Sequence, residues 1–188
     1  IGSSLVGSEM CIRDSDSIQH FDAIVRPGDA VDEHEDDLQH GVELIKCPPI
    51  VLLDEDELLS RKDARFRLGV PQDCRVVYVQ LGAGQINDIT SEIRITLDEI
   101  LKHDEVHVVL GESMIGSRID VQLANVHVLR DYPNSQYFRG FDAVVQAGGY
   151  NSFHETRAFG VPALFYPNLE TGMDLSLIHI SEPTRLEP

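Results

Sequence analysis

Two glycine-rich turns hold the residues of this sequence whose types and spacing best suit chemistry. They are Gly82 and Gly84 in the first turn, and Gly148, Gly149, Asn151, Ser152 and Glu155 in and after the second. A glycine-rich turn that leads into a helix presents backbone N–H groups beside the positive end of the helix dipole, where an anion such as a phosphate binds. Glu155 stands one helical turn further on, at a spacing that suits a carboxylate holding a ribose diol. We therefore predict a nucleotide site at these turns.

Each turn also has a plain structural interpretation. A glycine after a strand is most often only a tight turn, and the residues after Gly84 leave the dinucleotide fingerprint G-x-G-x-x-G incomplete, which disfavours nicotinamide chemistry. Ser152 and Glu155 are spaced as S-x-x-E, the pattern of a capping box at a helix start. The residues alone leave the binding and capping interpretations open.

Alternating strands and helices would place both turns at one edge of a sheet. Apolar runs rich in β-branched residues predict strands, and segments with helical spacing or caps predict helices. The predicted strands are 21–25, 76–81, 106–110, 126–129, 143–146 and 163–166, and the predicted helices are 54–68, 89–101, 135–139 and 152–159. Strands joined by helices form an open parallel α/β sheet of Rossmann type, with helices on both faces and the ligand at the carboxyl ends of the strands.

Composition excludes several classes of protein. The chain of 188 residues has room for one domain, or one domain and part of another. Its 15 basic and 32 acidic residues give a net charge of −17, which argues against a nucleic-acid partner. Three cysteines without a Cys-x-x-Cys pair argue against a disulfide scaffold or a zinc ribbon, and favour a cytoplasmic protein. The acidic stretch 29–40 is interpreted as a solvated linker rather than a metal site.

The segment from Asp142 to Asn168 resembles the donor-binding signature of GT-B glycosyltransferases of family 28 type. Within that group it is similar to the N-acetylglucosaminyltransferases that act on the peptidoglycan lipid precursor and to uncharacterised bacterial relatives. The family pattern has glycines after a strand, a helix with a glutamate, and then A-x-G-x-P-x-L-x-x-P. The matching positions are Gly148, Gly149, Ser152, Glu155, Ala158, Gly160, Pro162, Leu164 and Pro167.

The resemblance implies a UDP-sugar donor, no cofactor and no metal ion. It implies that Glu155 binds the ribose hydroxyls, and that Gly149 and Ser152 meet the diphosphate. By the same resemblance, Asp131 and Tyr132 frame the uracil. The turn at Gly82 and Gly84 resembles the first glycine-rich loop of the family, which faces the cleft between the two domains. The acceptor, lipid-linked or a glycan, and any contact with the inner face of a membrane would belong to the N-terminal domain.

On this interpretation, residues 16–50 are the end of the acceptor domain and an acidic linker, and residues 51–173 are a truncated donor-binding domain. Residues 1–15 and 174–188 are set aside, because 5–15 and 175–185 can be encoded as reverse complements of each other. Both ends resemble a translated sequencing adaptor.

We expect the chain to be inactive alone, because the catalytic base would lie in the missing part of the acceptor domain. His20 is not expected to be that base, and His154 is expected on a helix surface.

Two rival functions stay open at this stage. A UDP-sugar 2-epimerase shares the architecture but needs catalytic carboxylates and a histidine in the cleft. A non-catalytic donor-binding subunit that pairs with a separate acceptor subunit would have the same sequence features.

Overall fold

The computed structural model describes residues 22–28, 42–82, 90–112 and 121–166. The strands in these ranges are β1 (Ala23–Pro27), β2 (Glu43–Cys47), β3 (Arg75–Gln80), β4 (Val106–Gly111), β5 (Val126–Leu129), β6 (Ala143–Ala147) and β7 (Ala163–Tyr166). The α-helices are α1 (Arg61–Leu68), α2 (Thr90–Ile100) and α3 (Tyr150–Ala158), and two 3-10 helices span Glu55–Glu57 and Asn134–Gly140. Both ends of the chain, His20, the acidic stretch 29–40 and Gly84 lie outside the described residues.

A five-stranded sheet in the order β5-β4-β3-β6-β7 forms the centre of the fold. Every neighbouring pair in it is parallel, so the predicted Rossmann-like α/β architecture is confirmed. β4 and β5 extend the sheet to one side of β3, while β6 and β7 extend it to the other. The strand order therefore reverses at β3, and such a switch point opens a crevice beyond the carboxyl ends of the strands.

Both faces of this sheet are covered. Side chains alternate along a strand, so that Tyr78 of β3 faces one side and its neighbour Val79 faces the other. On the Tyr78 side, α1 and the 3-10 helix Asn134–Gly140 contribute Ala64 and Phe138 to the core. On the Val79 side, α2 contributes the buried Leu97. The sheet is thus packed between buried residues on both faces.

The predicted helix from Asp54 to Leu68 is divided in two, because two cap signals follow each other. The Asp54 N–H donates to the Glu57 carboxylate at 2.8 Å, which closes a 3-10 turn. The chain is then extended until Ser60, whose hydroxyl accepts the Asp63 N–H at 3.1 Å and begins α1. Gly69 ends α1 in the left-handed conformation, at φ 69°, as the sequence signals predicted.

β1 and β2 form a separate parallel pair in which Val25 lies opposite Ile45. β2 was not predicted from the sequence, because Glu43 and Lys46 interrupt its apolar residues. The division into an acceptor-domain remnant and a donor domain stays a prediction. Within the part of the chain that the structure describes, no helix is long and apolar enough to cross a membrane.

Candidate functional site

A cavity of about 240 Å³ opens at the carboxyl ends of β3, β4 and β6, at the point where the strand order reverses. Its walls come from the ends of these strands, the segment after β5, the helix α3 and the segment after β2. The lining residues are Leu52, Tyr78, Gln80, Glu112, Tyr132, Pro133, Asn134, Ser135, Phe138, Gln146, Ser152 and Glu155. The cavity therefore lies where the sheet topology predicts a ligand.

Two glutamines form the polar floor of the cavity. Gln80 is the last residue of β3 and lies opposite Gln146 of β6 in the parallel register. Gln146 is buried, and its side-chain oxygen lies 2.7 Å from the hydroxyl of Thr156 on α3. Amide side chains both donate and accept hydrogen bonds, so this floor suits a neutral polar ligand group.

Tyr78 links this floor to the wall. Its hydroxyl donates to Gln80 Oε1 at 3.0 Å and accepts from Asn134 Nδ2 at 2.9 Å. Its ring stacks on Phe141 with the ring centres 4.8 Å apart, which fixes the position of the hydroxyl. Burial raises the pKa of Tyr78 far above its usual range, so this hydroxyl stays protonated and acts as a donor.

Glu155 is a carboxylate of the cavity lining, and its surroundings shift its pKa. Its Oε1 accepts a hydrogen bond from the Ser135 hydroxyl at 3.3 Å, and its carboxylate also accepts the Leu52 backbone N–H. Burial raises the pKa of Glu155, although both hydrogen bonds act in the opposite direction. A carboxylate has about four acceptor positions, so two hydrogen bonds from the protein leave capacity for two donors of a ligand.

The start of α3 corrects two expectations about the second glycine-rich turn. Gly149 is the residue that precedes the helix, so Ser152 is its third residue and S-x-x-E is not a capping box. The N–H groups of Gly148 and Gly149 are not bare, because they donate to Tyr166 O at 3.2 Å and Ala147 O at 2.8 Å. The N–H groups of Asn151 and Ser152 lie in the first turn and have no acceptor within the helix. An anion at this helix start would therefore meet Asn151 and Ser152 instead of the glycines.

The other predicted site residues differ in whether they line the cavity. Tyr132 lines it and is 61% exposed. Asp131 is exposed and accepts the Tyr137 hydroxyl at 2.6 Å, so this carboxylate already has a partner within the protein. Gly82 lies two residues beyond β3 with φ 110°, a backbone conformation that favours glycine. The prediction for Gly84 lies outside the described residues.

His154 is not on the surface of α3, which corrects our expectation. It is 3% exposed, and its ring packs against Tyr150 and Phe153 with ring centres 4.3 and 5.1 Å away. The burial of His154 could not be predicted from an apolar pattern, because the inward face of α3 carries His154 and Thr156 instead of aliphatic residues.

Five polar residues line the cavity beside the predicted site residues, and the sequence patterns did not predict them. They are Gln80, Glu112, Asn134, Ser135 and Gln146. A usable signal existed for the glutamines, since a polar side chain at the carboxyl end of an apolar strand lies at the ligand edge of a parallel sheet. No comparable signal marked Asn134 or Ser135. Among the described residues, no group of three or more His, Cys, Asp or Glu side chains is arranged to hold a metal ion.

Comparison with known proteins gave structural neighbours alone. No protein-family profile matches the chain, and no curated protein sequence matches it. It is similar to the crystal structure of the glycosyltransferase SnogD from Streptomyces nogalater, at 24% identity over 50% of this chain and 26% of that one, with a TM-score of 0.45. It is also similar to the glycotransferase of kitacinnamycin, at 22% identity over 54% of this chain and 26% of that one, with a TM-score of 0.42. The chain thus spans about a quarter of the length of either structure.

Proposed function

We propose that this chain contains the donor-binding domain of a GT-B glycosyltransferase of family 28 type. The parent protein would transfer a hexose or N-acetylhexosamine from a UDP-sugar to an acceptor hydroxyl. The observation that carries the proposal is the half-buried Glu155 carboxylate, held by Ser135 and Leu52 in the lining of a cavity beside a helix start. The two acceptor positions that remain on Glu155 match the two hydroxyls of a ribose diol.

The charges around the cavity support a nucleotide that enters with its phosphates towards α3. The lining residues include two carboxylates, Glu112 and Glu155, and no lysine or arginine among the described residues. The nucleoside part is neutral and fits such a wall, whereas the diphosphate would lie at the N–H groups of Asn151 and Ser152. The dipole of α3 adds to those donors. Tyr132 would lie against the uracil at the rim.

The same groups would serve the chemical step of an inverting transfer. The leaving UDP gains negative charge as the bond to the sugar breaks, and oriented N–H groups at a helix start stabilise developing charge without reorganisation. The proposal assigns the general base and the acceptor site to the other domain of a GT-B enzyme. The described residues thus bind and orient the donor.

Replacement of Glu155 tests the proposal. Glu155→Gln should weaken UDP binding by about 1.5–3 kcal/mol, roughly 10- to 150-fold in Kd, because the variant loses hydrogen bonds to a charged acceptor. Titration calorimetry with UDP measures the change. Glu99→Gln is the matched control, since Glu99 is exposed on α2 and pairs with Lys102 away from the cavity. Equal UDP affinity in wild type and Glu155→Gln would contradict the ribose assignment.

The 2-epimerase is the second candidate, favoured by the presence of two carboxylates in one cavity. Glu112 is paired with Arg130 at 3.1 Å, and its side chain is only 12% exposed. Product analysis separates the functions, because an epimerase converts a UDP-sugar to its epimer without an acceptor. Recovery of an epimerised donor from the parent protein would replace the transferase proposal.

A further inference from the structure

Ser135 lines the cavity although its side chain is almost fully buried. It is 3% exposed, and it lies in the first turn of the 3-10 helix Asn134–Gly140. Its hydroxyl donates to Glu155 Oε1 at 3.3 Å across 20 residues of sequence. The hydroxyl is therefore directed at the carboxylate on α3.

The 3-10 helix that carries Ser135 is anchored in the core. Phe138 and Tyr137 of the same 3-10 helix are buried in the core, and Phe138 packs against Tyr78 with ring centres 5.9 Å apart. The neighbouring Asn134 donates to the Tyr78 hydroxyl at 2.9 Å. A hydroxyl on such a support holds its partner in one orientation, and this precision is what a binding carboxylate requires.

The orientation of the Glu155 carboxylate depends on the Ser135 hydroxyl, because the protein gives this carboxylate few hydrogen bonds. Its side chain has several rotatable bonds, and a half-buried carboxylate without donors would pay a desolvation cost. The two donors, the Ser135 hydroxyl and the Leu52 N–H, come from different segments of the cavity lining. Leu52 belongs to the exposed segment after β2, so Ser135 is the donor that the core itself fixes.

We propose that Ser135 is a positioning residue, whose buried hydroxyl orients the Glu155 carboxylate so that it can accept both hydroxyls of a nucleotide ribose. This inference rests on the proposed nucleotide function. Ser135 acts through Glu155 and does not itself contact the ligand. It also favours the ionised form of Glu155, because a hydrogen bond to the charged carboxylate lowers the pKa that burial raises.

Loss of the Ser135 hydroxyl should therefore produce a pH-dependent defect. In Ser135→Ala the pKa of Glu155 rises further, so the carboxylate is protonated at a higher pH and UDP binding fails earlier as the pH falls. UDP affinity should drop roughly 2- to 10-fold at about pH 8, where a hydrogen bond alone is lost, and by a larger factor at about pH 5.5. A purely structural role would give the same factor at both pH values.

The experiment compares four forms of the full chain by titration calorimetry with UDP. Wild type, Ser135→Ala and Ser135→Thr are measured beside Ser91→Ala, an exposed serine of α2 that does not line the cavity. Ser135→Thr keeps the hydroxyl and should restore the wild-type pH profile. Circular dichroism verifies that each variant is folded.

A second measurement does not depend on the ligand. The carboxyl carbon of Glu155, assigned with Glu155→Gln, is titrated by nuclear magnetic resonance in the free protein. Its midpoint should move to higher pH in Ser135→Ala and stay unchanged in Ser91→Ala. If UDP binds wild type and Ser135→Ala with the same pH profile and the midpoint does not move, the positioning role is wrong and the nucleotide function stands. If wild type binds no UDP, the nucleotide function itself fails.

Discussion

At the residue scale, Arg65 shows how one side chain can join three parts of the fold. It is fully buried on α1, and its guanidinium donates to the backbone oxygens of Gly140 and Cys74 at 3.0 and 2.8 Å. It also donates to Asp142 Oδ2 at 2.8 Å, and the same oxygen accepts the Val76 N–H at 2.7 Å. The fork of the guanidinium matches these separate acceptors, which the single ammonium of lysine cannot do.

Replacement of Arg65 by methionine should therefore be severe. Arg65→Met leaves buried carbonyl oxygens without donors and takes a partner from Asp142, so we expect a loss of about 3–5 kcal/mol in the free energy of unfolding. Urea denaturation measures the loss. Lys62→Met on the exposed face of the same helix should change stability by less than about 0.5 kcal/mol. A similar small effect of both substitutions would show that the buried network does not stabilise the fold.

At the element scale, the end of β4 is shaped to admit Tyr78 from β3. A Cβ atom on Gly111 would overlap the Tyr78 hydroxyl, so only glycine allows this close approach. The hydroxyl then reaches both Gln80 and Asn134. The absence of a side chain at Gly111 thus leaves room for the Tyr78 hydroxyl beside Gln80.

A side chain at Gly111 should disturb this arrangement. We expect Gly111→Ala to lower the free energy of unfolding by about 1–3 kcal/mol, because the overlap forces Tyr78 or the strand to move. Thermal denaturation reports the change. Ser91→Ala serves as the control, since Ser91 is exposed on α2 and does not line the cavity. Wild-type stability of Gly111→Ala would mean that Tyr78 has room to relax.

At the scale of the whole molecule, two groups in different parts of the fold, His127 and Asp142, respond to acid in the same direction. His107 on β4 and His127 on β5 lie with Nδ1 and Nε2 3.1 Å apart, and burial, together with His107, lowers the pKa of His127. Burial alone would raise the pKa of Asp142, but hydrogen bonds from Arg61 and the Val76 N–H lower it. Both groups therefore bind protons more readily in the unfolded chain than in the folded one.

The free energy of unfolding should accordingly decrease as the pH falls, in two separate pH ranges. The contribution of neutral His127 is complete above about pH 6.5 and is lost as the pH falls from there through its lowered pKa. The stabilising contribution of ionised Asp142 is complete above the ordinary pKa of aspartate. It is lost as the pH falls through the lowered pKa of Asp142. Glu155 shifts in the opposite direction, so variants are needed to separate the groups.

His127→Gln provides that separation for the upper window. The decrease in melting temperature between about pH 7.5 and about pH 5.5 should be smaller in this variant than in wild type, because one proton-linked group is gone. His103→Gln, at an exposed position before β4, should keep the wild-type slope. Identical slopes in all three proteins would contradict a linked titration of His127.

The sequence by itself determined the parallel α/β fold and the edge of the sheet at which the cavity lies. The strands 126–129 and 163–166 were predicted with the bounds that the structure shows, because β-branched apolar runs and flanking turn residues are local signals. Tertiary structure alone decided which polar groups meet there. The contact of Ser135 with Glu155 and the register of Gln80 with Gln146 join residues far apart in the chain. The burial of His154 and Arg65 likewise depends on which helix faces pack against the sheet. Local patterns fix where strands end, whereas the partners of a side chain depend on the packing of the whole domain.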